Sequence, residues 1–456
     1  SVSAFLLNRS SDLTLSMKNQ PNKKRKPNRD KITKWLIRIP LAIVVIAVSL
    51  VVLAVLRQGN MAATVRQGIT LTPASTEPLP TEPTETEPVT TEPSTELSTE
   101  PPTEPVDPVM ELAEMYLADM SLEEKLCQMI LTTPDELTGV YGAGQAADGT
   151  RSALETYPVG GILYEQQNIQ GRDQLTTMIA NSQDYSNLPL FIAVAEEGGN
   201  VAPLTSIGVT SYYSTMAVYG EEENVQRISE IGLEMAEDLL SVGINVNLAP
   251  VADVLTDPYD TEIGSRSFGA NAGMTAQLTT TMLQSLQEGG VTACVKYFPG
   301  LASADGDTRY GQAVSQRTEE ELRLTELLPF AAAIENGAQM IMVSHISLPQ
   351  VLGDDTPCSL SYEIVTNLLR NDLGYEGLIL SDALNKAAVS NYYEGDEAAV
   401  MAVQAGCDIL LQPEDLEETL NALLTAVENG EISEERINES VLRILYLKVE
   451  MGLITQ

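Results

Sequence analysis

Between residues 109 and 456 the chain alternates eight short apolar runs with longer amphipathic stretches, and few folds accept that alternation. The runs are Gln128–Leu131, Gly160–Tyr164, Leu190–Val194, Ile244–Leu248, Val291–Val295, Met340–Ser344, Leu378–Ser381 and Asp408–Leu411. Helical periodicity fills the gaps, at Glu223–Ser241, Ala272–Glu288, Glu319–Glu335, Tyr362–Asp372, Asp396–Gln404 and Leu416–Glu428. Gly243, Gly289, Gly337, Gly406 and Gly430 stand where helices would stop. Near-continuous apolar strands that alternate with helices predict a parallel sheet covered on its faces. Eight of them predict a closed (β/α)8 TIM-type barrel, with an open doubly wound sheet as the alternative. In either fold the working side chains belong at the C-terminal ends of the strands.

Three segments precede the head. Residues 1–38 are basic, with Lys18, Lys23, Lys24, Arg25, Lys26, Arg29, Lys31, Lys34 and Arg38. Residues 39–56 (IPLAIVVIAVSLVVLAVL) carry no charge and meet the lower length limit for a transmembrane helix. Only Arg57 and Arg66 follow closely, so the positive-inside bias predicts a cytoplasmic N-terminus and an extracellular head. A cleaved signal peptide is the rival reading, but the run is long for one and no clear small-residue cleavage site follows. The chain opens on Ser1, and Met17, just before the basic cluster, is an expected start. Residues 57–108 form a stalk whose latter part repeats Thr-Glu-Pro (TEPLPTEPTETEPVTTEP); proline and like charges predict an extended, disordered linker.

The net charge of −38 divides accordingly. Residues 1–70 hold 12 basic and 2 acidic side chains, residues 71–108 hold 9 acidic and none basic, and residues 109–456 hold 14 basic against 53 acidic. A head this acidic offers no broad basic face for phosphates, which excludes nucleic acid as a partner. His345 is the one histidine, so chemistry needing two imidazoles is excluded. Cys127, Cys294, Cys358 and Cys407 lack metal-ligand spacing, and no metal or cofactor is expected. Two disulfides would fit the count, but three of the four cysteines sit in apolar runs, where buried free thiols are the simpler state.

Polar residues follow the predicted strands. Glu196 and Glu197 open Glu-Glu-Gly-Gly after the third, and Asp253 follows the fourth, with Arg266 in the next loop. Lys296 and Tyr297 end the fifth, His345 the sixth and Asp382 the seventh. Carboxylates, cations and one imidazole gathered at a barrel mouth suit sugar hydroxyls and carboxylate-based glycoside chemistry. Each residue also has a plainer reading. Asp382 could cap the next helix, Glu196 and Glu197 could be solvated, Lys296 and Arg266 could pair with carboxylates, and His345 could be a satisfied buried imidazole.

Taken together, the segments resemble the N-terminal barrel of glycoside hydrolase family 3, above all its single-domain β-N-acetylhexosaminidases. The resemblance runs from about Met120 to Ile454 through MSLEEKLCQMIL, GGILYEQQNI, AVAEEGGNV, LAPVADV, IGSRSFG, ACVKYFPG, MVSHI, GLILSDAL, AGCDILL and SVLRILYLKVEMGLI, in family order. It implies a retaining glycosidase acting on a carbohydrate, a β-linked N-acetylhexosamine or another cell-wall or environmental glycan, with Asp382 as nucleophile. It further implies Lys296, Arg266, His345, Glu197, Asp253 and Tyr297 as substrate-binding residues. The chain also departs from the pattern. The family's Asp before Glu-Glu-Gly-Gly is Ala195, its Arg after Gly-Gly is Asn200, and its His after the Lys is Tyr297. The mobile-loop triplet Asp-Ser-His, whose His is the acid/base, falls on Asp307-Thr308-Arg309. An arginine cannot shuttle protons near neutrality. Glu196, Glu197, Asp305 and Asp307 are the replacement acids the sequence offers, and Asp307 is taken with Asp382 as the catalytic pair. A glycan-binding barrel with impaired catalysis is the second expectation.

Overall fold

A computed structural model describes residues 107–455. The expected anchor at 39–56 and nearly all of the expected stalk lie outside the described residues. Among the described residues no helix is long and apolar enough to cross a membrane.

The eight predicted strands all form: β1 (Ile130–Thr132), β2 (Gly161–Leu163), β3 (Phe191–Val194), β4 (Val246–Asn247), β5 (Thr292–Phe298), β6 (Met340–Val343), β7 (Leu378–Ser381) and β8 (Leu410–Leu411). Every residue in them is buried, which is why the sequence shows continuous apolar runs rather than alternation. The order is β7-β6-β5-β4-β3-β2-β1-β8, and all neighbours are parallel. A parallel bridge between Leu380 and Ile409 joins β7 to β8 and closes the ring. The open-sheet alternative is thereby removed, since an open sheet leaves two edges.

Helices Ala272–Glu288 and Leu416–Glu428 match their predicted spans. The predicted helix Glu319–Glu335 is instead two, Glu319–Leu324 and Leu328–Glu335. Pro329 has no N–H to give to Thr325 and disfavours helical geometry at Leu328, so the chain turns there. The first of these helices opens on a reciprocal cap between Thr318 and Glu321. After Ala272–Glu288 it is Gly290, at φ +90°, that takes the left-handed position, one residue beyond the glycine the sequence suggested. The segment Glu363–Asp372 is wound as a π-helix. All four cysteines are free and buried.

The closing helix Glu434–Glu450 drives Lys448 into the barrel's N-terminal end, fully buried. Its Nζ donates to Gln128 Oε1 at 2.7 Å and lies 5.0 Å from the Phe191 ring centre. Burial lowers its pKa to about 7. Below that pH both folded and unfolded chains hold the proton, and the cost of burying the charge is felt in full. Between pH 7 and the ordinary lysine range the unfolded chain binds more protons, so stability rises with pH. Lys448→Met is therefore expected to stabilise the head at pH 6 by about 1–3 kcal/mol, after the loss of the Gln128 partner. It should also flatten the rise of melting temperature from pH 7 to 10. A lower melting temperature at both ends of that range would count against this account.

Candidate active site

The C-terminal ends of β3, β5 and β7 and the loops after β4 and β5 bring one cluster of charges together. Two glycines permit its tightest turn. Gly198 and Gly199 have φ of +89° and +59°, and a Cβ on either would strike the Ser214–Thr215 segment. That turn sets Glu197 facing inward.

Glu197 is buried and holds two cations. Arg266 grips it in bidentate fashion, Nε to Oε2 and Nη2 to Oε1, both at 2.7 Å. Lys296 Nζ lies 2.5 Å from the same Oε1. Burial would raise the Glu197 carboxyl, but the Lys296 and Arg266 charges outweigh it and hold the pKa at about 2. Arg266 also donates from Nη2 to the Tyr297 hydroxyl at 2.8 Å and from Nη1 to the Glu262 carbonyl at 2.9 Å. The Tyr297 ring lies among three cations, 5.1 Å from Lys296 Nζ and 5.3 Å from both Arg266 Cζ and Lys386 Nζ.

Asp382 lies just past β7 and is 3% exposed. Its Oδ1 accepts from the Ala383 N–H at 2.8 Å, and its Oδ2 faces Lys386 Nζ at 2.6 Å. Burial alone would raise its pKa, yet Lys386 first and His345 second bring it below the ordinary aspartate value. The carboxylate is thus ionised, at the C-terminal end of β7. The helix-cap reading of Asp382 fails, because the next helix, Ala387–Ser390, has Lys386 at its N-cap and no side-chain cap.

Three predicted residues brace the site from behind. His345 is fully buried; its Nε2 faces the Ala383 carbonyl at 2.9 Å and its Nδ1 faces the Ser359 hydroxyl at 2.6 Å. A carbonyl only accepts, so Nε2 carries the hydrogen and Nδ1 accepts from Ser359. Burial lowers the His345 pKa, and the neutral ring fixes the Asp382–Ala383 turn. Asp253 accepts from the Ala302 N–H at 2.8 Å and the Tyr297 N–H at 3.4 Å, tying down the loop after β5; burial raises its pKa to about 7. Glu196, read either as a solvated side chain or as a replacement acid, is buried and accepts from the Leu204 and Thr205 N–H groups. It is a loop clamp.

The loop after β5 carries the Asp307-Thr308-Arg309 triplet. Arg309 turns its guanidinium onto Asp307, donating from Nε at 2.8 Å and from Nη2. That pairing holds the Asp307 carboxyl below the ordinary aspartate value. Asp307 is therefore ionised near neutrality and has no proton to give, which argues against it as the replacement acid. Thr308 is buried and staples the loop down: its N–H donates to Glu262 Oε2 at 2.8 Å, its hydroxyl to Glu262 Oε1, and its carbonyl accepts from the Ala388 N–H at 3.0 Å.

Residues 121–447 match the description "Glycosyl hydrolase family 3 N terminal domain". The chain belongs to glycoside hydrolase family 3. It is 31% identical over 342 residues to beta-hexosaminidase LpqI of Mycobacterium tuberculosis, covering 72% of this chain and 83% of that one. It is 29% identical over 326 residues to beta-hexosaminidase A of Pseudoalteromonas piscicida, covering 65% of this chain but only 54% of the relative. Among solved structures, a family 3 beta-N-acetylglucosaminidase from Paenibacillus sp. str. FPU-7 superposes with a TM-score of 0.69 at 34% identity, covering 74% of this chain and 64% of the other.

Against the family 3 pattern, this site keeps the mouth carboxylate and the two cations after β4 and β5, but re-equips the rest. Ala195 offers no polar atom where the family has Asp, and Asn200 is exposed. Lys386 and Glu262 complete the cluster: Lys386 Nζ, already on Asp382, is 3.9 Å from Glu262 Oε1. Sequence reasoning missed both. Lys386 carried one usable signal, a cation four residues after Asp382; Glu262 sits in a loop with no periodicity to mark it.

Proposed function

We propose that the head hydrolyses β-N-acetylhexosaminides with retention of configuration, with Asp382 as the nucleophile. The observation that carries this reading is the buried Asp382 carboxylate at the end of β7, kept ionised by Lys386 and fixed by the Ala383 N–H. Attack at the anomeric carbon requires that ionised form. Lys296, Arg266 and Tyr297, locked together through Glu197, present donors to sugar hydroxyls, while His345 and Asp253 hold the loops on which the contacts stand. LpqI, a beta-hexosaminidase, and the Paenibacillus beta-N-acetylglucosaminidase support the sugar class. Incubation with an aryl β-N-acetylglucosaminide should release the phenol and first yield the β-anomer of the sugar. Saturable glycan binding with no turnover across an aryl-glycoside panel would instead favour a binding barrel.

We further propose that residues 39–56 anchor the chain and that the stalk carries the head outside the cell. The uncharged run and the basic flank before it support this. Protease added to intact cells should release the head from the full chain, and a head that stays protected until lysis would contradict it.

A further inference from the structure

Resting on the retaining reading above, we propose that Glu262 is the acid/base residue of this site, in the role that the family gives to a loop histidine and that Arg309 cannot fill. The assignment starts from the geometry around Lys386. Its ammonium is 2.6 Å from Asp382 Oδ2 and 3.9 Å from Glu262 Oε1, so those two oxygens are no further apart than the two distances laid end to end. The separation of about 5–5.5 Å that a retaining pair requires falls within that limit. Asp305, also offered by the sequence, is exposed on the loop after β5, and five other carboxylates are committed. Glu197 holds Arg266 and Lys296, Glu196 clamps Leu204 and Thr205, and Asp253 clamps Ala302. Asp260 accepts from the Ile263 and Gly264 N–H groups, and Asp307 is paired with Arg309.

Glu262 clamps Thr308 much as Glu196 clamps Thr205, but it also shares the cation that Asp382 holds. It is 4% exposed, and the cation nearest to it belongs first to Asp382. Burial is the largest influence on it and raises its pKa, against the opposing effects of Lys386 and Thr308. That is the direction a general acid needs near neutrality and the opposite of the shift at Asp382; burial raises Glu196 and Asp253 too, so it is the place beside Lys386 and Asp382 that singles out Glu262. Its remaining partners are the Thr308 N–H and hydroxyl, both on the loop after β5. In the first step Glu262 passes its proton to the glycosidic oxygen as the bond from C1 to that oxygen breaks and Asp382 bonds to C1. In the second, the Glu262 carboxylate takes a proton from water, the water oxygen bonds to C1, and the C1–Asp382 bond breaks. Both carboxyls return to their starting states.

The test compares leaving groups. A 2,4-dinitrophenyl β-N-acetylglucosaminide departs without a proton, whereas the phenyl glycoside needs one. Glu262→Gln is expected to lower kcat/KM for the phenyl substrate by about a hundred- to ten-thousandfold, and for the dinitrophenyl substrate by under about tenfold. Glu262→Ala should be accelerated on the dinitrophenyl substrate by added azide, with the β-glycosyl azide as product, and should lose the alkaline limb of the pH profile. Thr308→Val, which removes one donor from the Glu262 carboxylate, should move the alkaline limb to higher pH while keeping acid assistance to the phenyl substrate. Equal losses on both substrates in the Glu262 variants, with no azide product, would overturn the assignment while leaving the retaining reading intact, provided the wild-type protein turns over. A wild-type protein with no turnover of either substrate would remove both.

Discussion

Asp382→Asn is expected to abolish turnover, lowering kcat for an aryl β-N-acetylglucosaminide by at least about a thousandfold while the fold persists. Asn preserves the shape of the side chain and its acceptor for the Ala383 N–H. What it removes is the charge that Lys386 neutralises and that, on the proposed mechanism, attacks the anomeric carbon. Lys386 then loses its nearest counter-ion and keeps only Glu262, at 3.9 Å. A modest loss of melting temperature should accompany the loss of activity. Parallel losses of binding and kcat would point instead to an aspartate that shapes the pocket without reacting.

The second large effect falls on stability. Glu197→Gln is expected to cost about 3–5 kcal/mol, because it strands Lys296 and Arg266 in the barrel mouth without their shared carboxylate. The sign follows from the lowered pKa. A carboxyl at about 2 when folded, against an ordinary value of 4.5, stabilises the fold fully above the ordinary value. That contribution fades as the pH falls towards 2. The wild-type head should therefore lose about 3 kcal/mol from this one group over that interval, and Glu197→Gln should lack that component of the acid slope. Urea melts at pH 7 measure the first quantity, and melts at pH 3 should show about 2 kcal/mol of the second. A variant as stable as the wild type at pH 7 would mean that the three charges are solvated rather than buried together.

The barrel was legible because burial on both faces of a parallel strand forces continuous apolar runs, and eight such runs stand out from the amphipathic helices between them. The break at Pro329 was legible in principle, since proline carries its own reason for a helix to stop. The shift from Gly289 to Gly290 was not, because either glycine can take a left-handed turn. At the mouth, residues directly after strands were found: Glu197, Lys296, Tyr297 and Asp382. Their partnerships were not. Glu196 and Glu197 are adjacent in an acidic chain, and only the turn at Gly198–Gly199 decides that one clamps a loop and the other holds two cations. Lys386 and Glu262 come from loops joined across long sequence separations, and no local pattern announces such a meeting. Arg309 stands where the family has its acid, and its pairing with Asp307, which holds that carboxyl below the ordinary aspartate value, is a contact the sequence does not announce.

The most direct test of the central claim is the trapping of the glycosyl-enzyme. A 5-fluoro N-acetylglucosaminyl fluoride loses fluoride readily and is slow to be hydrolysed, so the intermediate accumulates and can be weighed. The account predicts one added sugar per chain, mapped by peptide mass spectrometry to the segment containing Asp382 and absent from Asp382→Asn. Turnover of aryl glycosides with no adduct, or an adduct on any other residue, would contradict it.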